Sequence, residues 1–286
     1  MIIDDAVVGR YRRDGAVLIP NVFGDWTASL GDACLSVLDD HRAGGIDPSV
    51  PVSAHQNPLT VVEGFGGGAM MLNLVPYHAG FAQWLEASPA AELTANVMQS
   101  QTSRFWVDAS FLKDEADASE GTPWHNDTCT WPFWGAQMTI LWIALTDVEE
   151  DNGPLTTVAG SHRGTGRYYS PFFPPTDAIP EPYEPWQALL DQVEAPDARI
   201  QTWTMRRGDC LCMHPSTIHG SLPRKGGATP RLAFSSRWLG DDVVWKPDPL
   251  TERMTTQLND HPAMHRGEPP PESVMPIQWG AANASA

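Results

Sequence analysis

The sequence predicts a mainly β domain with flanking helices, its strands closed into a sandwich, barrel or jelly roll. From about residue 101, short apolar runs recur ("SRFWVDASFLK", "QMTILWIALTDV", "LTTVAGS", "TWTMRRGDCLCMH" and "RLAFSSRWLG"), separated by Gly, Pro and Asn/Asp clusters. The 24 Gly and 26 Pro are spread along the chain rather than gathered in one tract, which marks many turns between short elements. Helical spacing is confined to roughly the first hundred residues. No linker divides the 286 residues, 42% of them hydrophobic, so one domain is expected. Its helical N-terminal part (about 1–100) would pack on a β core (about 101–245), with a loosely held tail (about 260–286).

Taken in order, residues 4–24 read as a short helix, a turn at Gly15 and the strand "AVLIP". "DWTASLGDACLSVLDDHRAGG" places Trp26, Leu30, Cys34 and Leu38 at helical spacing and ends on a Gly pair. "YHAGFAQWLEASPAAELTANVMQS" is a second helical stretch, broken at Ser88-Pro89, with Phe81, Trp84 and Leu85 on its buried side. Within the β region, residues 167–190 carry prolines and aromatics that suit neither a central strand nor full exposure. They predict a long loop partly folded over the sheet.

Charge narrows the function. Eighteen basic against 35 acidic residues give a net charge of −17, which repels polyanions, so no nucleic-acid partner is expected. The basic pairs Arg12-Arg13, Arg206-Arg207 and Arg224-Lys225 read as solvated surface. No run has the length of a signal peptide or membrane span, which predicts a cytoplasmic protein without a membrane partner. Four cysteines make no disulfide framework, and Cys210 and Cys212 read as strand packing rather than a zinc site.

Chemistry concentrates in "TPWHNDTCTWPF". On a strand, His125 and Asp127 share a face while Asn126 turns to the other, so one ion can meet an imidazole and a carboxylate. That is two-thirds of a 2-His-1-carboxylate facial triad, the arrangement that leaves positions open on non-haem Fe(II). Alone, an H-x-D triplet is as compatible with a hydrogen-bonded surface pair. Two late histidines, His214 and His219, are candidates for the third ligand. Arg231 follows His219 after a turn-rich segment, and a return strand would bring its guanidinium near anything bound at the metal. A planar, permanently charged fork suits a carboxylate.

Across residues 10–240 the chain resembles the phytanoyl-CoA dioxygenase-like group of Fe(II)/2-oxoglutarate-dependent oxygenases. The resemblance runs through "YRRDGAVLIPNVF", "WHND", "LWIALTDVEEDNGPLTTVAGSHR", "GDCLCMHPSTIHGS" and "PRLAFSSRW", in that order. It implies a double-stranded β-helix, a cupin-like jelly roll, with His125, Asp127 and His219 as iron ligands. It further implies that Arg231, helped by Ser221, holds the distal carboxylate of 2-oxoglutarate, with O2 as the other co-substrate. Asn152-Gly153 and Gly160-Ser161-His162 match a signature assigned here to structure, and His214 is expected to support the site or the core. The chain departs from the group's pattern at "HGSLPRK", where many members carry an Asn in the place of Arg224. Members that halogenate have a small residue at the carboxylate position, so Asp127 implies oxygen insertion or desaturation instead.

Aromatics around the triad predict the substrate pocket: Trp124, Trp131, Phe133 and Trp134, with Phe105 from the preceding strand. Trp106 and Trp142 read as core. The expected partner is a small molecule, a natural product or an amino-acid or lipid-like metabolite, and the protein a monomer or homodimer. Two other functions fit the same residues. One is a Zn(II) hydrolase or isomerase with Glu120 or Asp108 as general base; the other is a catalytically idle binding protein.

Overall fold

Asp4 starts the first helix, α1 (Asp5–Asp14), by accepting the Ala6 N–H on its carboxylate. Gly15 ends it at φ 79°, where a Cβ would also run into His162 and Thr217. The chain then enters β1 (Ala16–Ile19) directly. Helix α2 (Thr27–Arg42) buries Leu30, Cys34 and Leu38 together with Ala33 and Val37, the face its spacing predicted. The computed structural model describes residues 3–47, 58–114, 117–164, 166–174, 176 and 178–280.

Residues 1–100 are not helical throughout. A hairpin, β2 (Thr60–Glu63) and β3 (Gly68–Leu72), intervenes, its turn carried by Gly64, Gly66 and Gly67 at positive φ. Its apolar residues do not alternate with polar ones, so no period-2 signal marks it in the sequence. Helices α3 (Ala79–Ala87) and α4 (Ala90–Met98) follow, interrupted at Ser88-Pro89 as expected.

The β region comprises β4 (Ser103–Lys113), β5 (Phe133–Trp134), β6 (Met138–Ala144), β7 (Leu155–Val158), β8 (Arg167–Tyr168) and β9 (Tyr183–Glu184). After helix α5 (Trp186–Val193) come β10 (Ile200–Trp203), β11 (Cys210–Met213), β12 (His219–Ser221), β13 (Arg231–Leu239), β14 (Val244–Trp245) and β15 (Ile277–Trp279). The large antiparallel sheet runs β1-β11-β6-β13-β4-β3-β2, and a smaller one runs β10-β7-β12. Packed face to face, they form the double-stranded β-helix. The tail is better held than expected: β15 pairs with the start of β4. Residues 281–286 lie outside the described residues.

Strand alternation divides the large sheet between two cores. Leu232, Phe234 and Trp238 of β13, Leu141 and Ile143 of β6, and Cys210 and Cys212 of β11 pack beneath the helices against Leu30, Phe81 and Trp84. Ala233, Ile140, Trp142, Leu211 and Met213 face the smaller sheet, where they meet Leu155. The four cysteines are buried free thiols, so the Cys210/Cys212 pair is packing. One irregularity matters for the site. Arg237 pairs with Val107 but Trp238 pairs with Phe105, which leaves Trp106 as an extra residue in a β-bulge.

Candidate active site

His125 and His219 are joined by their backbones. Each N–H donates to the other's carbonyl at 2.8 Å, an isolated antiparallel bridge that sets the two rings side by side, centroids 4.2 Å apart. The ring Nδ1 of His125 lies 2.8 Å from the Pro123 carbonyl, and that of His219 lies 2.9 Å from the Thr217 carbonyl. A carbonyl only accepts, so both Nδ1 atoms carry the proton and both Nε2 lone pairs are left for a ligand. Burial, then the neighbouring His125, lowers the His219 pKa to about 4, which keeps it neutral.

The segment carrying Asp127 is not a regular strand. Asn126 is extended, but Asp127 opens a 3-10 turn, Asp127–Cys129, anchored where its N–H donates to the Pro215 carbonyl at 2.9 Å. The carboxylate still reaches the histidines, Oδ1 lying 3.5 Å from His125 Nε2 and 3.8 Å from His219 Nε2. Burial opposes its charge, but a hydrogen bond from His125 and the charge of His219 and His125, when those rings are protonated, together with Arg237, outweigh that and hold the carboxyl well below its usual range. One donor atom from each of His125, Asp127 and His219 lies within 4.8 Å of the others. Two neutral imidazole nitrogens and one carboxylate fit a divalent metal with open positions.

Beside this set lies a cationic recess. Arg231 and Lys113 are direct cross-strand partners on β13 and β4, so their side chains share a face. Arg231 is buried; it donates to the Gly153 carbonyl and lies 5.4 Å from the Trp142 ring centroid. Burial lowers its guanidinium to about 10. Lys113 donates to Ser221 Oγ at 3.3 Å, and burial, then Arg231 and Arg224, brings its ammonium down to about 7. Ser221 Oγ also accepts the Thr122 N–H at 2.9 Å. Among the described residues, no ion pair joins a carboxylate to either cation. Gly153, at φ 84°, closes the recess, and a Cβ there would sit 3.3 Å from Lys113 Nζ.

A cavity of about 540 Å³ opens over both groups and takes in His125, Asp127, His219, Lys113 and Arg231. Of the five aromatics expected to line it, only Trp131 does. The bulge at Trp106 reverses the strand's parity, so Phe105 turns to the helix side against Trp238. Phe133 packs between Trp106 and Trp245. Trp134 stacks under the Arg167 guanidinium, 3.7 Å from its ring centroid. Trp124 joins the α5 cluster, and its carbonyl accepts from Trp186 Nε1 at 2.7 Å. In their place the wall uses Trp106 and Trp142, which had read as core, with Phe111 and Phe65.

The proline-rich segment does fold over the site: Phe172 meets the His125 ring edge-on at 5.0 Å, and β8 and β9 pair in parallel at the segment's two ends. Sequence reasoning missed Lys113 and Arg237. Arg237 Nη2 lies 4.0 Å from Asp127 Oδ2, and its position two residues beyond Ser235 and six beyond Arg231 was a readable period-2 signal. His214 and His162 lie together away from the triad, rings 5.6 Å apart. Arg224 is buried, its guanidinium donating to the Asp117 and Ala228 carbonyls.

The model of the family "Phytanoyl-CoA dioxygenase (PhyH)" matches residues 11–233. The chain belongs to the phytanoyl-CoA dioxygenase family. Among curated relatives, human peroxisomal phytanoyl-CoA dioxygenase is 25% identical over 120 residues, 39% of this chain and 32% of the relative. A probable phytanoyl-CoA dioxygenase of Caenorhabditis elegans is 26% identical over 137 residues, 46% of this chain and 40% of the relative. These matches therefore span between a third and two-fifths of the relatives' own lengths.

Solved structures share the fold more completely. The α-ketoglutarate-dependent epimerase SnoN from nogalamycin biosynthesis superposes with a TM-score of 0.67 at 21% identity, covering 97% of this chain and 96% of its own. The carbocyclase SnoK from the same biosynthesis gives 0.68 at 18% identity, covering 96% of each chain. EctD from S. alaskensis, solved with 2-oxoglutarate and 5-hydroxyectoine, gives 0.62 at 17% identity, covering 83% and 76%. Among the described residues, no helix is long and apolar enough to cross a membrane.

Proposed function

We propose that this phytanoyl-CoA dioxygenase-family protein is an Fe(II)- and 2-oxoglutarate-dependent oxygenase that oxidises an unactivated C–H of a small molecule, a natural product or an amino-acid or lipid-like metabolite. The observation that carries this is the pair of buried cations, Lys113 and Arg231, set without a carboxylate partner next to His125, Asp127 and His219. Burying an unpaired charge is costly, and a ligand carboxylate is the partner that relieves it. Of the solved structures of this fold, SnoN holds Fe3+ with α-ketoglutarate, and EctD holds the same co-substrate under its other name, 2-oxoglutarate.

Fe(II) with 2-oxoglutarate and O2 supplies the oxidising power when bound. The chain's own residues place and shield it. His125 and His219 present Nε2, with their rings fixed through Nδ1. Arg237 steadies Asp127 from behind. Arg231, Lys113 and Ser221 clamp the distal carboxylate, while Phe172 and Phe111 keep water from the reacting C–H. A carboxylate at Asp127 supports oxygenation or desaturation over halogenation.

The hydrolase alternative needs a second carboxylate as general base. Asp108 is buried on the helix side, where it accepts the Leu74 and Val75 N–H groups at 2.6 and 3.1 Å, and Glu120 is exposed; neither lines the cavity. The reading is tested by incubating Fe(II)-loaded protein with 2-oxoglutarate, O2 and candidate metabolites. Succinate release that disappears in Asp127→Ala is expected. Hydrolysis of an ester or amide panel by the Zn(II) form, with no succinate from the Fe(II) form, would favour the hydrolase.

A further inference from the structure

Among the described residues, the charged side chains on the cavity wall are Lys113, Asp127, Arg231 and Arg237, besides the two histidines. Each has a task that leaves nothing for the substrate. Asp127 belongs to the metal set and is faced by Arg237. Arg237 also stands in the field of Asp108. Lys113 and Arg231 form the recess for the co-substrate's carboxylate. With divalent metal, the two arginines, two aspartates and dianionic co-substrate in place, opposite charges cancel except for that of Lys113, which the co-substrate's carboxylate engages. A substrate bearing a net charge of either sign would lose its hydration there without a counter-ion.

What remains of the wall is aromatic and aliphatic surface, the latter from residues such as Met70, Leu72, Ile140 and Met213, with neutral hydrogen-bonding groups. The mouth is capped from two separate segments. Phe65 stands on the glycine-rich β2–β3 turn and Phe172 on the segment between β8 and β9, ring centroids 6.0 Å apart. Phe65 reaches Phe111 at 6.4 Å, and deeper in, Trp106 and Trp131 meet edge to face at 5.0 Å. A flat or polycyclic ligand would find an aromatic side chain on each side. Thr130 and Thr255, whose hydroxyls donate to the Asp127 and Thr251 carbonyls, can accept from hydroxyl substituents, and Asn73, with one N–H on the Pro58 carbonyl, keeps its second N–H and its oxygen for hydroxyl or carbonyl groups, all without adding charge.

Among the described residues that line the cavity, the cations Lys113, Arg231 and Arg237 are those already assigned, and none is left for a coenzyme's phosphates. Several phosphates call for free cations, and Arg42, beside the hairpin that carries Phe65, is locked to Glu63 by two hydrogen bonds of 2.9 Å. We infer that the substrate is an uncharged, ring-bearing small molecule, bound free rather than as a carrier thioester and lying beneath the aromatic clasp that Phe65 and Phe172 form over the cavity. The inference rests on the proposed oxygenase function for which groups occupy the charged recess; the aromatic clasp stands on the wall itself.

The test is calorimetric binding, under argon, to protein loaded with Mn(II) and 2-oxoglutarate, using 9-fluorenone, 9-fluorenone-2-carboxylate, a fluorenyl trimethylammonium salt and decanoyl-CoA. The neutral ketone is expected to bind at least tenfold more tightly than the other three. Phe172→Ala and Phe65→Ala, both at the surface cap, are expected to weaken it at least threefold with circular dichroism unchanged. A charged probe or the thioester binding as tightly as the ketone, or no ring probe binding at all, would overturn the inference. Co-substrate binding is recorded separately by titrating 2-oxoglutarate into the Mn(II) protein. If 2-oxoglutarate binds and a charged probe wins, only the substrate class falls; if the ketone is preferred without any 2-oxoglutarate binding, the oxygenase function falls instead.

Discussion

Replacing Arg231 by Met separates a ligand-binding cation from a structural one, because the two roles predict opposite changes in stability. Burial brings the guanidinium down to about 10; at 1.36 kcal/mol per pH unit this is about 3 kcal/mol of charge burial in the ligand-free protein. Against it stand one hydrogen bond to the Gly153 carbonyl, about 1.5 kcal/mol, and the contact with Trp142, about 0.5 kcal/mol. The difference, about 1 kcal/mol, is returned when Met fills the site, so Arg231→Met is expected to hold or raise Tm by roughly 2 °C. The same change removes one partner of a buried ion pair in the complex, which costs about 2–5 kcal/mol. The 2-oxoglutarate Kd should therefore rise by about two orders of magnitude or more. Thermal unfolding of the apoprotein and calorimetric titration of the Mn(II) form measure both. A variant that loses many degrees of Tm while binding 2-oxoglutarate within threefold of the parent would refute the reasoning.

Lys113, brought down to about 7 by burial and by Arg231 and Arg224, should regain its proton when a carboxylate arrives. Binding of 2-oxoglutarate is then level below pH 7 and weakens as pH rises above it, by up to tenfold per unit; calorimetry in buffers of different ionisation heat should record proton uptake that Lys113→Met abolishes. The bulge predicts that neighbours on β4 behave differently. Phe105→Ala should cost about 3–5 kcal/mol in denaturant unfolding and leave substrate KM alone, whereas Trp106→Ala should raise KM. Tyr183→Phe deletes the 2.6 Å hydrogen bond to Asp248 that ties down one end of the capping segment. It should destabilise by about 1–2 kcal/mol and speed amide exchange across residues 169–174 and 178–182.

The His125–Asp127 half of the candidate metal set was legible because it is local, whereas His219, far along the chain, came from the family resemblance. An extended Asn126 keeps His125 and Asp127 on one side even though Asp127 opens a turn rather than continuing a strand. Helices α1 to α4 were legible from spacing and their Gly and Pro stops, whereas α5 (Trp186–Val193) begins inside the stretch expected to be loop. The aromatic wall was not, because parity along β4 depends on a bulge defined only by pairing with β13, and no residue in "SRFWVDASFLK" announces it. Lys113 escaped for the same reason: it reads as a polar strand end until its register against Arg231 shows two cations side by side. The β2–β3 hairpin escaped because neither strand alternates. Trp134 and Trp124 sit where sequence proximity to the triad predicted, but Arg167 and Trp186, distant in the chain, draw them into other contacts.

In the proposed function His125, Asp127 and His219 hold iron while Arg231 and Lys113 hold 2-oxoglutarate beside it. Anaerobic titration of the apoprotein with Fe(II) and then 2-oxoglutarate, followed by visible absorption, tests it most directly. A weak metal-to-ligand charge-transfer band is expected in the parent, absent in Asp127→Ala and displaced to much higher 2-oxoglutarate in Arg231→Met. A folded parent that binds iron and shows no band at saturating 2-oxoglutarate would contradict it.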